Sequence, residues 1–194
     1  MILKGKFVFD NFEEFMKVAA DSGVRIGDEL ITKDIDGKAK FVVADVDKAA
    51  GHIAMVRKHC LKEQRPIRNK NFDLFEWLNG EYVMSIPKKI RKAMMIPTGQ
   101  MAVDIPREIE VFGKNEYGIH EEGHQWPYFK KTKNRICTVK SDDEYSHWWW
   151  CGTPTEASAA HFCACSGNGN AVYANASDAH DYVRPRFILA IAES

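Results

Sequence analysis

Apolar residues recur at helical spacing near the start of the chain. In residues 10–21 they stand three or four positions apart, at Phe12, Phe15, Met16 and Ala19. An Asp-Asn pair precedes them and can cap the first turn, so the segment is predicted to be a short amphipathic helix.

Short alternating segments follow this helix. Residues 29–33, 40–47 and 52–58 are rich in β-branched and apolar residues, and the turn residues Asp36-Gly37 and Gly51 separate them. Such a pattern predicts a small antiparallel sheet.

The pattern becomes helical again at residues 73–94, with Pro87 near a helix start, and irregular beyond Pro97. Short strands are predicted at residues 108–112, 136–139, 161–165, 171–174 and 187–192. The last of these would return the chain to the sheet. No repeat or clear linker divides the chain, which predicts one α+β domain.

Composition narrows the classes of function. The 194 residues are 45% hydrophobic, and 27 Lys and Arg balance 27 Asp and Glu, so no net field favours nucleic acid. No apolar run is long enough to span a bilayer, and the start lacks the uninterrupted apolar stretch of a secretory signal. We therefore expect the protein in a virion or in the cytoplasm of the producing cell, with its five cysteines reduced.

One long segment lacks basic residues altogether. Residues 141–183 contain no Lys or Arg, where the average frequency would give about six. Small and polar residues take their place, with aromatics between them. This composition is typical of a contact surface, because aromatics supply rigid apolar area while Ser, Asn and Gly supply adaptable hydrogen bonds.

Several separated motifs carry a family resemblance. WWCGTP at 149–154 resembles a WWLRSP motif, and YVRP at 182–185 resembles its closing GVRP. EIEVFG (108–113) with WPYFKKTKNRI (126–136), LFEWLNGEY (74–82), and IGDELI with KFVVADVD resemble three further motifs in the same order. Together they resemble a domain-of-unknown-function family, common in phage and bacterial surface proteins, that has a C-type-lectin-like fold.

The resemblance implies a single C-type-lectin-like domain over residues 1–194. Its parts would be an N-terminal helical segment (1–23), a scaffold (24–147) and a ligand-presenting variable-type region (148–187). Trp149, Trp150, Arg184 and Pro185 would hold the loop-rich lobe in place. Cys151 and Gly152 stand where the family has Leu and Arg, and Tyr182 stands for Gly, so no role of that Arg carries over.

A narrower resemblance concerns residues 157–181. Members of this fold class include the variable proteins of diversity-generating retroelements, in which adenines of a copied template are randomised. Every residue from Ala157 to Asp181 belongs to the set that a randomised asparagine codon can reach, whereas Glu156 lies outside that set. Lys is not reachable, which accounts for its absence. Arg is reachable, so its absence needs another explanation.

The leading hypothesis is a non-enzymatic protein that presents residues of about 151–181 to a protein or glycan on a cell surface. The predicted contact residues are Cys151, Thr155, Glu156, Ser158, His161, Cys163, Tyr173, Asn175, Ser177, Asp178, His180 and Asp181. Phe162 is a further predicted aromatic anchor. No cofactor and no nucleic-acid partner are expected, and a homo-oligomer is compatible with this hypothesis.

Three other functions remain open at this point. His161, Cys163 and Cys165 would share one face of a strand and could bind zinc with Cys151 or His147, as in a metal-dependent enzyme. The fold also leaves open an oxidase like the formylglycine-generating enzymes. Asp142, Asp143 and Glu144 do not form a lectin-type calcium pattern. A structural virion subunit would use the same face as a subunit contact.

Overall fold

The computed structural model describes residues 6–96, 101–139 and 145–191. Eleven strands lie within these ranges: β1 Val8–Phe9, β2 Glu29–Asp34, β3 Gly37–Asp47, β4 His52–Arg57, β5 Arg68–Asn69, β6 Phe72–Asp73, β7 Met94–Met95, β8 Trp149–Thr155, β9 Ser158–Cys165, β10 Ala171–Asn175 and β11 Arg186–Ala190. The α-helices are α1 Phe12–Ala20, α2 Leu74–Trp77, α3 Val83–Ser85, α4 Lys88–Ala93, α5 Glu108–Phe112 and α6 Thr132–Arg135. The predicted α+β class is confirmed. None of the helices in these ranges has the length and apolarity needed to cross a bilayer.

The first helix is capped as its sequence predicts. The side chain of Asn11 accepts a hydrogen bond from the Glu14 N–H at 3.0 Å, and α1 buries Phe12, Phe15 and Ala19 against the sheet. The predicted helix at 73–94 is confirmed in part. It runs through α2, a π-helical turn at Leu78–Tyr82 and α3, and then breaks before Pro87, because a residue preceding proline disfavours helical backbone.

A six-stranded sheet in the order β1-β2-β3-β4-β11-β7 forms the larger part of the fold. Strands β2, β3 and β4 pair in antiparallel fashion where alternation predicted them. Strand β11 then pairs with β4 on one side and β7 on the other. The predicted return of the C-terminal segment to the sheet is therefore confirmed for residues 186–190, and Ala192 lies outside the described residues.

Two strand predictions are wrong. Residues 108–112 form helix α5, because the Glu110 carboxylate accepts the Arg107 N–H at 2.8 Å and Gly113 ends the turn at φ 75°. Residues 136–139 contribute a single bridge between Cys137 and His147. The sequence pattern does not predict strand β8. It is buried almost throughout, so its sequence shows no alternation.

Strands β8, β9 and β10 form a separate antiparallel sheet in the order β10-β9-β8, which lies between two hydrophobic clusters. Trp150, Phe162 and Ala164 belong to the larger cluster, shared with α1 and the six-stranded sheet. Trp149 and Cys165 belong to the smaller cluster on the other face. Both faces of this sheet are therefore fixed at the end where β8 begins.

Arg184 ties the smaller cluster together. Its side chain is 1% exposed and donates hydrogen bonds to the carbonyl oxygens of Arg57 (2.8 Å), Asn134 (2.9 Å) and Lys58 (3.2 Å). The ring of Trp149 lies 5.2 Å from its guanidinium carbon. These contacts join segments more than 120 residues apart in sequence, which agrees with a structural role for Trp149 and Arg184.

Candidate functional site

Strands β9 and β10 present two unlike faces. Tyr173 pairs with Cys163, and Asn175 pairs with His161, so these four side chains share one face of the sheet. The opposite face, which contains Phe162, packs into the larger hydrophobic cluster. One face of the β9–β10 pair is therefore packed in the core, and the other face is the one that can contact a partner.

Solvent exposure changes along the face that holds His161 and Tyr173. At one end Cys163 and Cys165 are fully buried in the smaller cluster. Tyr173, which pairs with Cys163, is 53% exposed. In the next pair on this face, His161 is half-buried and Asn175 is exposed. The face therefore emerges from the core towards the turn that joins β8 to β9.

Three aromatic rings meet at this open end. The Tyr117 and Tyr173 ring centroids are 5.2 Å apart with their planes inclined at 57°, and the His161 ring lies 5.9 Å from Tyr173, edge-on at 82°. With Thr155, Ala157 and Ser158 these rings line a cavity of about 410 Å³. We call it the aromatic cavity. Its volume is within the range of small-ligand pockets.

Tyr117 comes from outside the β8–β10 sheet and is held there by a buried carboxylate. Glu108 accepts hydrogen bonds from the N–H groups of Tyr117 (3.1 Å) and Gly118 (2.9 Å). The Tyr117 carbonyl accepts the Glu156 N–H at 2.9 Å, which fastens the same loop to the β8–β9 turn. Three hydrogen bonds thus fix the backbone that carries the Tyr117 ring.

Gly118 makes this loop fit. A Cβ atom at this position would lie 2.5 Å from the Thr153 Cγ2 atom and 2.7 Å from the Glu108 Oε2 atom. Neither neighbour is the free end of a flexible surface chain, so glycine is required for the close approach. Sequence reasoning missed Tyr117, because the loop precedes β8 by about thirty residues and only the fold brings it to the sheet.

The predicted contact residues divide into three groups. Glu156, Tyr173, Asn175, Ser177, Asp178 and His180 are exposed, and Ser158 and His161 are half-buried at the aromatic cavity. Asn175 caps the turn beyond β10, where its side chain accepts the Ser177 N–H at 3.0 Å. Ser177, Asp178 and His180 lie in that turn, adjacent to the cavity in sequence but not among its lining residues.

Five predictions of surface contact need correction. Cys151, Thr155, Cys163, Asp181 and the anchor Phe162 are buried. Phe162 points into the larger cluster, and Cys151 and Cys163 point into the smaller one, because β8 and β9 are covered on both faces at that end. Thr155 keeps a role as part of the cavity floor, where its hydroxyl donates to the Ser158 carbonyl at 2.9 Å.

Asp181 is a buried carboxyl with an incomplete set of partners. Its Oδ2 atom has no hydrogen-bond partner among the described residues. Burial, together with the negative charge of Asp178, raises the pKa of Asp181 to about 6. The ionised side chain therefore destabilises the fold at neutral pH.

Cys151, Cys163 and Cys165 do not form a metal or nucleophile site with His161. Within residues 6–96, 101–139 and 145–191, no three His, Cys, Asp or Glu side chains converge to hold a metal ion. Burial raises the pKa of Cys151, and burial with the charge of Glu108 raises that of Cys163. Burial also raises the pKa of Cys165 to about 12. Thiols that stay protonated are poor ligands and nucleophiles. Asp142, Asp143 and Glu144 lie outside the described residues.

A larger cavity of about 520 Å³ borders β3, β4 and β11. There the His124 Nε2 atom lies 2.7 Å from the Asp45 Oδ2 atom, and Arg186 pairs with Asp104 at 3.0 Å. The lining contains no Ser, Thr or Cys next to this His-Asp pair, so a nucleophile is missing from it. Its charged groups are largely paired with one another.

Comparison with known proteins gives one match. Residues 105–191 match the family model described as a domain of unknown function (DUF6273). No curated protein and no solved structure matches the chain. The matched segment begins just before α5 and ends after β11, so it includes Tyr117, Gly118, the whole β8–β10 sheet and Arg184. The residues that line the aromatic cavity and those that hold Tyr117 therefore lie within the segment that matches a domain of unknown function.

Proposed function

We propose that the chain is a non-enzymatic ligand-binding protein that recognises a protein or glycan through the aromatic cavity and the exposed residues around it. The observation that carries the proposal is the group of three rings, Tyr117, His161 and Tyr173, open to solvent on a sheet whose reverse face is fixed in the core. Tyrosine is well suited to such a surface, because it offers a large amphipathic contact area with few rotatable bonds.

The division between fixed and free positions supports the same proposal. Rigid frames with substitutable surface positions are a common arrangement for recognition, because exposed positions tolerate changes that packed strands do not. Here Ala157 lines the cavity and is exposed, and Ala159, Ala160 and Ala179 are also exposed, so their side chains can change without disturbing the packing. Small residues at these positions leave the present surface shallow.

We further propose that the frame is C-type-lectin-like and that this surface belongs to a retroelement-diversified receptor-binding protein of a phage or prophage. The residue types found at 157–181 support this proposal, and the burial of individual positions makes it more specific. Positions that a retroelement varies should be the exposed ones, such as Ala157, Tyr173 and Asn175, whereas codons for buried residues such as Phe162 should stay constant. The neighbouring DNA tests this. A near-copy of the segment encoding residues 149–187, differing only at adenines of exposed positions and beside a reverse transcriptase gene, is the expected finding.

The binding proposal itself is tested with a matched pair of variants. Fluorescently labelled protein is applied to a panel of intact bacteria and to a glycan array. Tyr173→Ala should lose most of the binding that wild type shows. Tyr145→Ala, which removes a tyrosine that is 75% exposed and lies away from the cavity, should keep it. Both variants should melt at nearly the wild-type temperature.

Three results would contradict the proposal. One is binding that Tyr173→Ala leaves intact, and another is a failure of wild type to bind any cell or glycan in the panel. The third is a stable oligomer in solution whose interface buries Tyr173, which would favour a structural subunit instead.

A further inference from the structure

The aromatic cavity lies in negatively charged surroundings. Residues 141–183 contain no Lys or Arg. Glu156 is exposed between two lining residues, Thr155 and Ala157. Glu108 lies directly behind Tyr117, and its carboxylate accepts hydrogen bonds from two backbone N–H groups. No ion pair joins Glu108 or Glu156 to a basic side chain in the part of the chain that the structure describes.

A third carboxylate adds to this charge. Glu121 accepts a hydrogen bond from the Thr153 hydroxyl at 2.6 Å, on the strand that leads to the cavity. Its effect reaches the buried thiol next to Tyr173. Burial and the charges of Glu108 and Glu121 together raise the pKa of Cys163 well above its usual range. Glu121 also interacts with the buried Arg186, so the negative charge at the cavity itself comes from the exposed carboxylate of Glu156.

The rings are also arranged to receive a cation. A Lys ammonium or Arg guanidinium is attracted to the face of an aromatic ring when it lies within about 6 Å of the centroid. Tyr117 and Tyr173, with centroids 5.2 Å apart and planes inclined at 57°, can both border a group of that size. A space of about 410 Å³ accommodates a guanidinium together with part of its aliphatic chain.

A neutral sugar fits these observations less well. A neutral sugar carries no positive charge to pair with the exposed carboxylate of Glu156, so it would gain nothing from the charge beside the cavity. The carboxylates around the cavity would repel an acidic glycan.

Resting on the binding face proposed above, we infer that the aromatic cavity receives a Lys or Arg side chain of a protein partner. The attraction has two sources: the faces of Tyr117 and Tyr173, and the exposed carboxylate of Glu156, to which the buried carboxylate of Glu108 adds. His161 would border the same group from the Tyr173 side.

The test uses single side chains as probes. Nα-acetyl-arginine amide and Nα-acetyl-lysine amide are titrated into the full chain, and the ring signals of Tyr117, His161 and Tyr173 are followed by NMR. The neutral isostere Nα-acetyl-citrulline amide and methyl glucoside serve as comparisons. We expect saturating shifts with the arginine probe at concentrations on the order of millimolar. The citrulline probe should bind at least about fivefold more weakly, since it lacks the charge.

Variants separate the two sources of attraction. Tyr117→Leu and Tyr173→Leu keep apolar volume but remove a ring, and each should weaken arginine binding about threefold to tenfold. Glu156→Gln should weaken it about twofold to threefold and reduce its sensitivity to salt. Tyr145→Leu should have no effect.

Several outcomes would overturn the inference. Citrulline binding as tightly as arginine would mean an apolar pocket without preference for charge. Binding of methyl glucoside alone would mean a sugar site, and the binding face would still stand. Absence of a shift with any probe would also end the inference. Failure of the wider proposal is recognised separately, by cell or glycan binding that does not depend on Tyr173.

Discussion

At one end of the β8–β10 sheet Trp149 pairs with Cys165, and both are sealed from solvent; at the other end His161 pairs with Asn175, and both reach it. A single strand, β9, connects the two ends. The buried end touches both hydrophobic clusters and lies next to Arg184, whereas the open end rests on one cluster and carries the aromatic cavity. The packed end and the proposed binding face are therefore separated along one strand, at a distance of four residues.

The largest effect is expected at the buried end. Arg184→Met should destabilise the fold by roughly 3–5 kcal/mol, because it leaves three carbonyl oxygens without their donor inside the protein. Urea unfolding measures this change. Arg68→Met is the matched control, since Arg68 forms an exposed ion pair with Asp73 and should cost about 1 kcal/mol or less. Equal effects of the two replacements would show that the buried end does not depend on Arg184.

A smaller effect is expected at Gly118, where the Tyr117 loop packs against strand β8. Gly118→Ala should cost about 1–3 kcal/mol and displace Tyr117, because the added methyl would overlap Thr153 and Glu108. Ligand binding should fall with it. Gly80→Ala adds a methyl group to open space and should leave the melting temperature nearly unchanged. An alanine at position 118 that changes neither stability nor binding would contradict the proposed support of the ring.

Asp181, between the exposed turn and Arg184, should make stability depend on pH. Its pKa is raised to about 6 in the folded state, so folding favours the protonated form. The resulting loss of stability is complete above about pH 6 and disappears as the pH falls towards the unfolded value of about 4. At pH 7 Asp181→Asn should therefore be more stable than wild type by on the order of 1–2 kcal/mol, and at pH 4 the two should be equal.

Thermal melts between pH 4 and pH 8 measure this difference. Asp178→Asn removes the neighbouring charge and should shift the pH dependence of wild type to lower pH. A difference between Asp181→Asn and wild type that is the same at pH 4 and pH 7 would show that titration of Asp181 is not its cause.

The smallest effect on stability is expected at the open end. Tyr173→Ala should change the free energy of unfolding by about 0.5 kcal/mol or less, because the side chain is mostly in water. Chemical denaturation measures it beside Phe162→Ala. Phe162 is the opposite-face neighbour on β9 and should cost about 3 kcal/mol. A cost at Tyr173 close to that at Phe162 would mean that the open end also belongs to the core.

Much of the scaffold was predictable, because its signals are local. Helix α1 follows from the spacing of Phe12, Phe15 and Ala19 and from the Asn11 cap. Strands β2, β3 and β4 follow from alternation bounded by turns. The strand prediction for residues 108–112 is wrong because the segment Glu-Ile-Glu-Val-Phe alternates like a strand but is short enough to form a single helical turn, which the local contact of Glu110 with the Arg107 N–H stabilises.

The site was predictable only in part. Alternation correctly put His161, Cys163 and Cys165 on one face, and the composition of 141–183 drew attention to Tyr173 and Glu156. The sequence could not show that Cys163 is buried while His161 is half-buried, because burial along this face depends on α5 and the other elements that pack against it. Tyr117 had no signal of its own.

Strand β11 occupies an inner place in the six-stranded sheet, with Arg184 just before it, and this has a consequence during protein synthesis. Until residues 184–190 have left the ribosome, β4 presents an unpaired edge and the carbonyl groups of Arg57 and Lys58 lack their donor. The nascent chain therefore cannot complete its central sheet stepwise from the N-terminus. We expect it to need protection from edge-to-edge aggregation until almost the whole domain has been made.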